Sequence, residues 1–170
     1  MTEGPAMRLL RPGLVLTLVV LSACGIDPSS RTDLAEHAEA ARQPAELQVG
    51  DARIHASLAP TAALSPAIAS RYGVDRGRDV QLLLVGVRQG PTGDEVSVPA
   101  QVVARVRDLR GVSQEVAMRE VRSDGFIDYV GAVRVAPPDT LAFEVTVRRE
   151  GADAPAVLRF SREVFAPSGG

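Results

Sequence analysis

The amino-acid sequence predicts an all-β domain with the architecture of an immunoglobulin-like antiparallel β-sandwich. Of its 23 valines, 19 lie between residues 74 and 164, and β-branched residues favour extended, half-buried backbone. Apolar and polar residues alternate along several short segments of this region, as in strands with one buried face. Glycine- and proline-containing turns separate the segments at close spacing. These observations predict a sandwich of about seven strands with one short helix.

The strand pattern is clearest in three segments. In residues 140–148, four apolar side chains at odd positions alternate with small or polar ones, and residues 102–107 alternate in the same way. Residues 80–87 are apolar on both faces, which is typical of a central strand. Adding the segments bounded by turn residues, we expect strands near 50–58, 79–88, 96–108, 112–122, 125–135, 140–149 and 155–165.

One short helix is expected at about 65–72. Ser65 stands at the N-cap position, where its hydroxyl can accept a hydrogen bond from a backbone N–H of the first turn. Pro66 follows at the first helical position, which needs no amide hydrogen. Gly73 stands where a left-handed residue ends a helix.

The N-terminus has the composition of an export signal. Arg8 and Arg11 precede an apolar run over residues 13–21, and this run is too short to span a bilayer. The run ends in Leu21-Ser22-Ala23-Cys24, which resembles the lipobox of bacterial lipoproteins. The resemblance implies cleavage before Cys24, acylation of that cysteine, and membrane attachment through acyl chains. Two alternatives remain open: an ordinary signal peptide with a coincidental cysteine, or a buried core cysteine.

The expected organisation therefore has four parts. Residues 1–23 form a lipoprotein signal peptide that is removed, residues 24–46 form the lipidated cysteine and a flexible tether, residues 47–166 form the β-sandwich, and residues 167–170 form a disordered tail. Gly25 follows the cysteine, and by resemblance to the known sorting pattern it favours the outer membrane over the inner one. Removal of the signal leaves 17 basic and 20 acidic residues.

Composition excludes several classes of function. The whole chain has a formal net charge of −2, so it has no basic excess for nucleic-acid binding. A single cysteine excludes an intramolecular disulfide and a multi-cysteine metal site. Only two histidines are present, and one of them, His37, lies in the predicted tether. The sequence predicts no catalytic residue, no metal site and no cofactor.

Residues 64–76, read as Leu-Ser-Pro-Ala-Ile-Ala-Ser-Arg-Tyr-Gly-Val-Asp-Arg, resemble the L-x-P-x-x-A-x-x-Y-G-I-x-R stretch of domain-of-unknown-function family 4426. Further positions fit the same family: Ile54-His55, Thr61, Arg119-Glu120-Val121, Gly125 and Tyr129. Ala56, Ser57, Pro60 and Asp108 depart from the family pattern. The resemblance covers roughly residues 50–166 and implies a small secreted β-sandwich without an established activity.

These matches give six candidate residues for a binding surface: His55, Tyr72, Gly73, Arg76, Glu120 and Tyr129. For His55 we expect a half-buried ring bonded to backbone in preference to a general base. Tyr72-Gly73 is interpreted as a helix stop, with a tyrosine-lined cleft as the alternative. Asp124 and Asp128 flank a predicted turn and are expected to be solvated.

Glu120 has two interpretations. By alternation it shares the face of Val116 and Met118, which would turn its carboxylate inward toward Arg76 or Arg134. Alternatively, it is a residue near a strand end that faces water.

The leading functional hypothesis is a non-enzymatic periplasmic lipoprotein that is secreted across the inner membrane. It would be anchored through its N-terminal acyl chains and would bind a protein partner of the cell envelope. A small-molecule or glycan binding module, using the helix and the loops at one end of the sandwich, is the alternative. A hydrolase ranks third, because acid–base groups are scarce and no G-x-S-x-G motif is present.

Overall fold

The computed structural model describes Met1 and residues 43–165. The lipobox residues Leu21, Ser22, Ala23 and Cys24, most of the predicted tether and the tail over 167–170 lie outside the described residues. The elements are β1 (Ala45–Val49), β2 (Ala52–Pro60), a 3-10 turn (Thr61–Ala63), α1 (Pro66–Arg71), β3 (Val80–Gln89), β4 (Val96–Ser97), β5 (Ala100–Arg107), β6 (Ser113–Val116), β7 (Arg119–Ser123), β8 (Phe126–Arg134), β9 (Asp139–Arg149) and β10 (Ala156–Val164).

The described strands form two antiparallel sheets. Sheet 1 has the order β1-β2-β3-β8-β7, with β4 paired to the end of β3, and sheet 2 has the order β10-β9-β5-β6. A core lies between them, with Ile54, Leu83 and Val85 from sheet 1 and Val106 and Val145 from sheet 2 almost fully buried. The predicted all-β sandwich with one short helix is confirmed.

The alternation predicted for residues 140–148 is present in β9. Leu141, Phe143, Val145 and Val147 are buried, and the even-numbered residues from Ala142 to Thr146 are only partly buried. Each buried aliphatic side chain contributes about 1.5–3 kcal/mol relative to an exposed one. The valine-rich strands therefore stabilise the sandwich with few aromatic residues.

The number of strands was predicted too low, because two predicted strands each divide and change sheet. The segment 96–108 divides at Val98-Pro99 into β4 of sheet 1 and β5 of sheet 2. Pro99 has no amide hydrogen and cannot donate to a ladder. The segment 112–122 divides at Ala117-Met118, passing over Gly131, where a Cβ would lie 3.2 Å from the carbonyl oxygen of Ala117. These crossings connect the two sheets.

A further difference lies at the start of the domain. β1 begins at Ala45 and forms a hairpin with β2 through Gly50-Asp51, so the predicted boundary between tether and domain falls inside a strand. Ala45, Leu47 and Val49 are half-buried and alternate with exposed residues. This alternation was available in the sequence, but it is short and flanked by polar residues.

The helix has the ends that the sequence predicts. The Ser65 hydroxyl accepts from the Ile68 N–H at 3.2 Å, and Pro66 is the first helical residue. At the other end, Gly73 has φ +48° and the Val74 N–H donates to the Ala69 carbonyl at 3.0 Å, which is a Schellman end. No helix in the described residues is long and apolar enough to cross a membrane.

Candidate functional site

The outer face of sheet 1 carries a row of aligned residues across five strands. Register places Glu46 opposite His55, His55 opposite Gly86, Gly86 opposite Asp128, and Asp128 opposite Val121. Successive residues of a strand point to opposite faces, so this row lies on the side away from the core. It places the only histidine of the described residues one strand from Glu46 and two strands from Asp128.

Gly86 provides the space for His55. A Cβ at position 86 would overlap Cε1 and Nε2 of the His55 ring, so the imidazole lies against the bare backbone of β3. A glycine inside a strand often marks such a close approach. The ring is half-buried, as predicted. The predicted hydrogen bond from the ring to backbone is not found among residues 43–165, because the ring packs on Gly86 instead.

Arg88 and Asp128 form the best-enclosed ion pair of this face. The Arg88 Nη2 donates to Asp128 Oδ1 at 2.7 Å, and their side chains are only 12% and 18% exposed. Arg88 also donates to the Ile127 carbonyl at 2.9 Å, and its guanidinium lies 5.2 Å from the ring centroid of Phe126. The prediction that Asp128 is a solvated turn acid is wrong, since it lies within β8. Asp124, which is in the turn, has an 82% exposed side chain.

Electrostatics keep His55 neutral near neutral pH. Burial and the neighbouring Arg88 charge lower the pKa of His55 below its ordinary value of 6.5, against the weaker opposing effect of Asp128, Glu46 and Glu95. A neutral imidazole can accept a hydrogen bond through one nitrogen and donate through the other. Among residues 43–165, no group of three His, Cys, Asp or Glu side chains is placed to hold a metal ion.

A second ion pair extends this face. Arg53 pairs with Glu95, and its other terminal nitrogen donates to the Thr92 hydroxyl at 3.1 Å. We call the surface formed by Arg53, His55, Arg88, Glu95, Phe126 and Asp128 the sheet 1 polar surface. Its charged side chains are held by partners within the domain, so it presents fixed donors and acceptors beside one half-exposed aromatic ring.

Glu120 and Tyr129 lie on the opposite side of sheet 1. The buried Tyr129 hydroxyl accepts from the Ala100 N–H at 2.7 Å and donates to Glu120 Oε2 at 3.3 Å. This contact joins β8 of sheet 1 to β5 of sheet 2. Burial raises the pKa of Tyr129 above its ordinary value.

Of the two interpretations of Glu120, inward burial is wrong, and the structure agrees with the one in which the side chain reaches water. Glu120 is opposite Tyr129 and so lies on the predicted inner side, but β7 is a sheet edge and the side chain remains 36% exposed. Its ionic partner is Arg122 at 2.6 Å instead of Arg76 or Arg134. Arg134 lies 3.6 Å from Asp79.

Tyr72, Gly73 and Arg76 occupy a third place, in the crossover from β2 to β3. Tyr72 is the half-buried C-cap residue of α1. A Cβ on Gly73 would lie 2.8 Å from Nη2 of Arg119, and the Arg76 guanidinium donates to the Ala62 carbonyl at 2.9 Å. These contacts fit the interpretation as a helix stop.

The six predicted site residues therefore do not form one site. His55 lies on the outer face of sheet 1, Glu120 and Tyr129 lie at its inner edge, and the other three residues lie in the crossover. The domain matches a known protein family. The profile of the family described as "Domain of unknown function (DUF4426)" matches residues 46–167, which is most of the chain.

The chain belongs to the DUF4426 family. Its fold is similar to that of a DUF4426 family protein from Pseudomonas aeruginosa PAO1, with a TM-score of 0.64 and 23% identity over 74% of this chain and 97% of that one. The resemblance found in the sequence is confirmed.

The fold of this DUF4426 domain is also similar to FetP from uropathogenic Escherichia coli strain F11. The structure of that protein as isolated, after expression in the periplasm of E. coli, has a TM-score of 0.55 and 9% identity over 74% of this chain and 97% of that one. A copper-bound variant has a TM-score of 0.52 and 8% identity over 74% and 94%. At this identity the likeness concerns the fold alone. No curated protein matches the chain.

The structure shows what Thr61, one of the residues of the sequence resemblance, does in this domain. Its side chain is fully buried, its hydroxyl accepts from the Gly77 N–H at 3.0 Å, and it lies 3.1 Å from the Val80 carbonyl. Asp108, a position that departs from the family pattern, accepts from the Val112 N–H at 2.8 Å and so closes the β5–β6 turn.

Two clefts lie away from the sheet 1 polar surface of the DUF4426 domain. One of about 460 Å³ opens on sheet 2 and is lined by Arg105, Arg107, Glu144, Arg159 and Phe160, among others. Another of about 320 Å³ lies between residues 99–101 and 148–150. Neither is lined by α1, where the sequence placed the alternative binding site.

Sequence reasoning missed the three residues that organise the sheet 1 polar surface. Gly86 and Arg88 lie on β3 and Asp128 lies on β8, about 40 residues away in sequence, so only the β3–β8 register brings Asp128 to the other two. One signal was present in the sequence. Gly86 and Arg88 interrupt an otherwise apolar central strand at positions two apart, which places both on the same face.

Proposed function

We propose that this DUF4426 protein is a periplasmic lipoprotein, anchored in the outer membrane through lipidated Cys24, whose domain binds an envelope protein and catalyses no reaction. The anchor is supported by the sequence Leu21-Ser22-Ala23-Cys24 at the end of an apolar run. Export is supported by the fold, which is similar to that of a protein obtained from the periplasm. Gly25 supports the outer membrane, by resemblance to the sorting pattern.

The main support for partner binding is the open geometry of the sheet 1 polar surface. Arg88 and Asp128 are held in place by each other, and Phe126 beside them is 50% exposed. Val96, which is 63% exposed, lies on the adjacent β4. Arginine and aromatic side chains fixed on an open face are typical of protein interfaces. A small ligand would more often occupy a concave pocket.

The non-enzymatic part of the proposal has one specific support. Within the described residues, no hydroxyl group is hydrogen-bonded to His55, so the nucleophile–base contact of a hydrolase is missing there. Of the carboxylates near the imidazole, Asp128 is paired with Arg88.

The anchor is tested by metabolic labelling with palmitate. The full chain should incorporate label and appear in the outer-membrane fraction, whereas Cys24→Ala should incorporate none and be recovered mainly outside that fraction. Equal labelling of both forms would exclude lipidation at Cys24.

The partner-binding role is tested by placing a photo-crosslinking amino acid at Phe126 in cells. We expect a discrete adduct with an envelope protein, identified by mass spectrometry, that weakens when Arg88→Ala is combined with the crosslinker. The matched control places the crosslinker at Val103, which is 48% exposed on the outer face of sheet 2. The same adduct from both positions, or none from Phe126, would contradict the proposal.

The cleft on sheet 2 favours a second candidate, a module that binds an anionic small molecule or glycan. Among the described residues, Arg105 and Arg107 have no carboxylate oxygen within 4 Å, while Arg159 pairs with Glu144 at 2.8 Å. Titration of the full chain with sulfated and carboxylated sugars should then show saturable binding that Arg105→Ala abolishes. Unchanged binding by Arg105→Ala would remove this candidate.

A further inference from the structure

Three large apolar side chains are exposed at one end of the sandwich. Leu109 and Val112 lie in the β5–β6 turn with 73% and 61% exposure, and Phe165, after β10, is 72% exposed. The Leu109 N–H donates to Asp139 Oδ1 at 3.2 Å, and Asp139 is the register partner of Val164. The three residues therefore lie near one another, and we call them the apolar tip.

The β5–β6 turn holds its apolar side chains outward in a fixed conformation. Asp108 donates its N–H to the Val112 carbonyl at 3.0 Å and accepts the Val112 N–H on its carboxylate at 2.8 Å. Arg110 places two nitrogens on the other carboxylate oxygen, at 2.8 and 3.1 Å. The acid of the turn is thus paired, while Leu109 and Val112 remain in water.

The chain enters the domain near the same end. The Gln43 carbonyl accepts from Arg162 Nη2 at 2.6 Å, and Arg162 is the register partner of Leu141, two residues from Asp139. Cys24 precedes Gln43 by 19 residues, a span of at most roughly 65 Å when fully extended. An anchor at Cys24 would therefore attach to the domain at this end and keep it within about 65 Å of the membrane.

The charged residues at the two ends of the domain also favour membrane contact at the apolar tip. At the tip, Arg107 and Arg110 flank the apolar residues, and both nearby aspartates, Asp108 and Asp139, accept hydrogen bonds within the domain. The turns at the opposite end carry five acids, of which Asp51 lies 3.6 Å from Arg149 and Asp124 lies 3.8 Å from Arg71; the others are Asp94, Glu150 and Asp153. Apolar side chains flanked by arginine are suited to a phosphate-bearing lipid surface, whereas the acidic end would be repelled from it.

We propose that the apolar tip inserts into the headgroup region of the membrane to which the N-terminus is anchored. The domain then stands on the bilayer by its β5–β6 turn, with the acidic end and the neighbouring part of the sheet 1 polar surface directed away. The inference rests on the proposed lipid anchor, and its occupant is a bilayer with phosphate headgroups.

The chain contains no tryptophan, so one introduced tryptophan reports a single position. The lipidated full chain carrying Leu109→Trp is reconstituted into vesicles of phosphatidylethanolamine and phosphatidylglycerol. The emission should shift to shorter wavelength, and brominated lipids should quench it by about twofold or more. The matched control is Val96→Trp at the opposite end, whose emission should remain that of a solvated ring.

Mass spectrometry of Cys24 and circular dichroism of each variant separate the outcomes. In one outcome, the protein is lipidated and folded while Leu109→Trp is quenched no more than Val96→Trp. That result would overturn the insertion of the apolar tip and would leave the lipid anchor supported. If Cys24 carries no lipid, the proposed anchor is wrong. Insertion of the apolar tip is then supported only if added vesicles still shift the Leu109→Trp emission to shorter wavelength. A crosslinker at Leu109 that captures a protein instead of lipid would also overturn the insertion of the apolar tip.

A double variant of the apolar tip distinguishes a loss of membrane binding from a loss of folding. Leu109→Ser with Val112→Ser changes only exposed side chains and should leave the unfolding midpoint unchanged, while it reduces vesicle binding of Cys24→Ala protein severalfold. Equal binding by the unmodified tip and the double serine variant would contradict the inference.

Discussion

The outer faces of the two sheets carry ion pairs of nearly the same length in different surroundings. Arg88 and Asp128 on sheet 1 are 2.7 Å apart with 12% and 18% exposure, whereas Arg159 and Glu144 on sheet 2 are 2.8 Å apart with 69% and 44% exposure. Distance alone does not distinguish them. Solvent does, because water screens an exposed pair and leaves an enclosed one strongly coupled.

The position of the strands explains the difference. β3 and β8 are interior strands of sheet 1, and Ile127 and Phe126 of β8 surround the Arg88 guanidinium. Arg159 lies on β10, the edge of sheet 2, with a neighbouring strand on one side only. Sheet 1 therefore carries an enclosed ion pair on its outer face, while the paired arginine of sheet 2 is exposed to water.

The largest effect should come from breaking the enclosed pair. Arg88→Ala leaves the Asp128 carboxylate largely desolvated without its partner, and we expect the free energy of unfolding in urea to fall by about 2–3 kcal/mol, since both side chains retain some solvent. Arg159→Ala should cost less than about 0.5 kcal/mol. Asp128→Asn added to Arg88→Ala should recover part of the loss. Equal costs for the two arginines would contradict the comparison.

The next effect tests the close approach of His55 to β3. Gly86→Ala must displace the imidazole, and we expect a loss of about 1–2 kcal/mol in unfolding free energy. The same change in a His55→Ala background should cost clearly less, because the overlapping ring is gone. On sheet 2, Ala142→Val extends into the cleft and should change stability by no more than about 0.5 kcal/mol. Equal costs of Gly86→Ala in both backgrounds would mean that His55 is not the obstacle.

A somewhat smaller effect concerns the contact that joins the two sheets. Tyr129→Phe removes the acceptor of the Ala100 N–H and should lower the unfolding free energy by about 1 kcal/mol. Tyr72→Phe is the matched control, because the Tyr72 hydroxyl makes no hydrogen bond within the described residues, and it should be neutral. A neutral Tyr129→Phe would show that water replaces the lost contact.

The smallest effect is a pH dependence confined to sheet 1. Since burial and Arg88 lower the pKa of His55 in the folded state, the unfolded chain binds more protons at this residue once the pH falls below 6.5. Stability from His55 is therefore fully present above pH 6.5 and decreases as the pH falls through the folded pKa. Urea midpoints measured from neutral to mildly acidic pH should fall less for His55→Gln than for the parent chain. Parallel curves would exclude this contribution.

The local sequence was sufficient to predict those parts of the structure that depend on interactions between residues close together in the chain. Ser65, Pro66 and Gly73 fix the helix through its end hydrogen bonds, and the alternation in 140–148 fixes which face of β9 is buried. Both depend on residues a few positions apart. The division of 96–108 and 112–122 between sheets was missed, because alternation continues across a crossing even when the hydrogen-bonded partner changes.

The site itself was only partly predictable. His55 and its half-burial followed from a strand pattern, but Gly86, Arg88 and Asp128 meet it only through strand register. Glu120 illustrates the same limit. Its face was predicted correctly, yet its exposure depends on β7 being a sheet edge, which no local pattern records.

The sequence by itself determined the fold class, the helix, the family and the lipobox motif, because each is encoded in residues close together along the chain. Tertiary structure decided which charges are enclosed, which clefts open, and that the apolar turn and the entering chain share one end. These depend on contacts between residues as many as 119 positions apart. Alternation says which way a side chain points, and only the neighbouring strand determines what it meets.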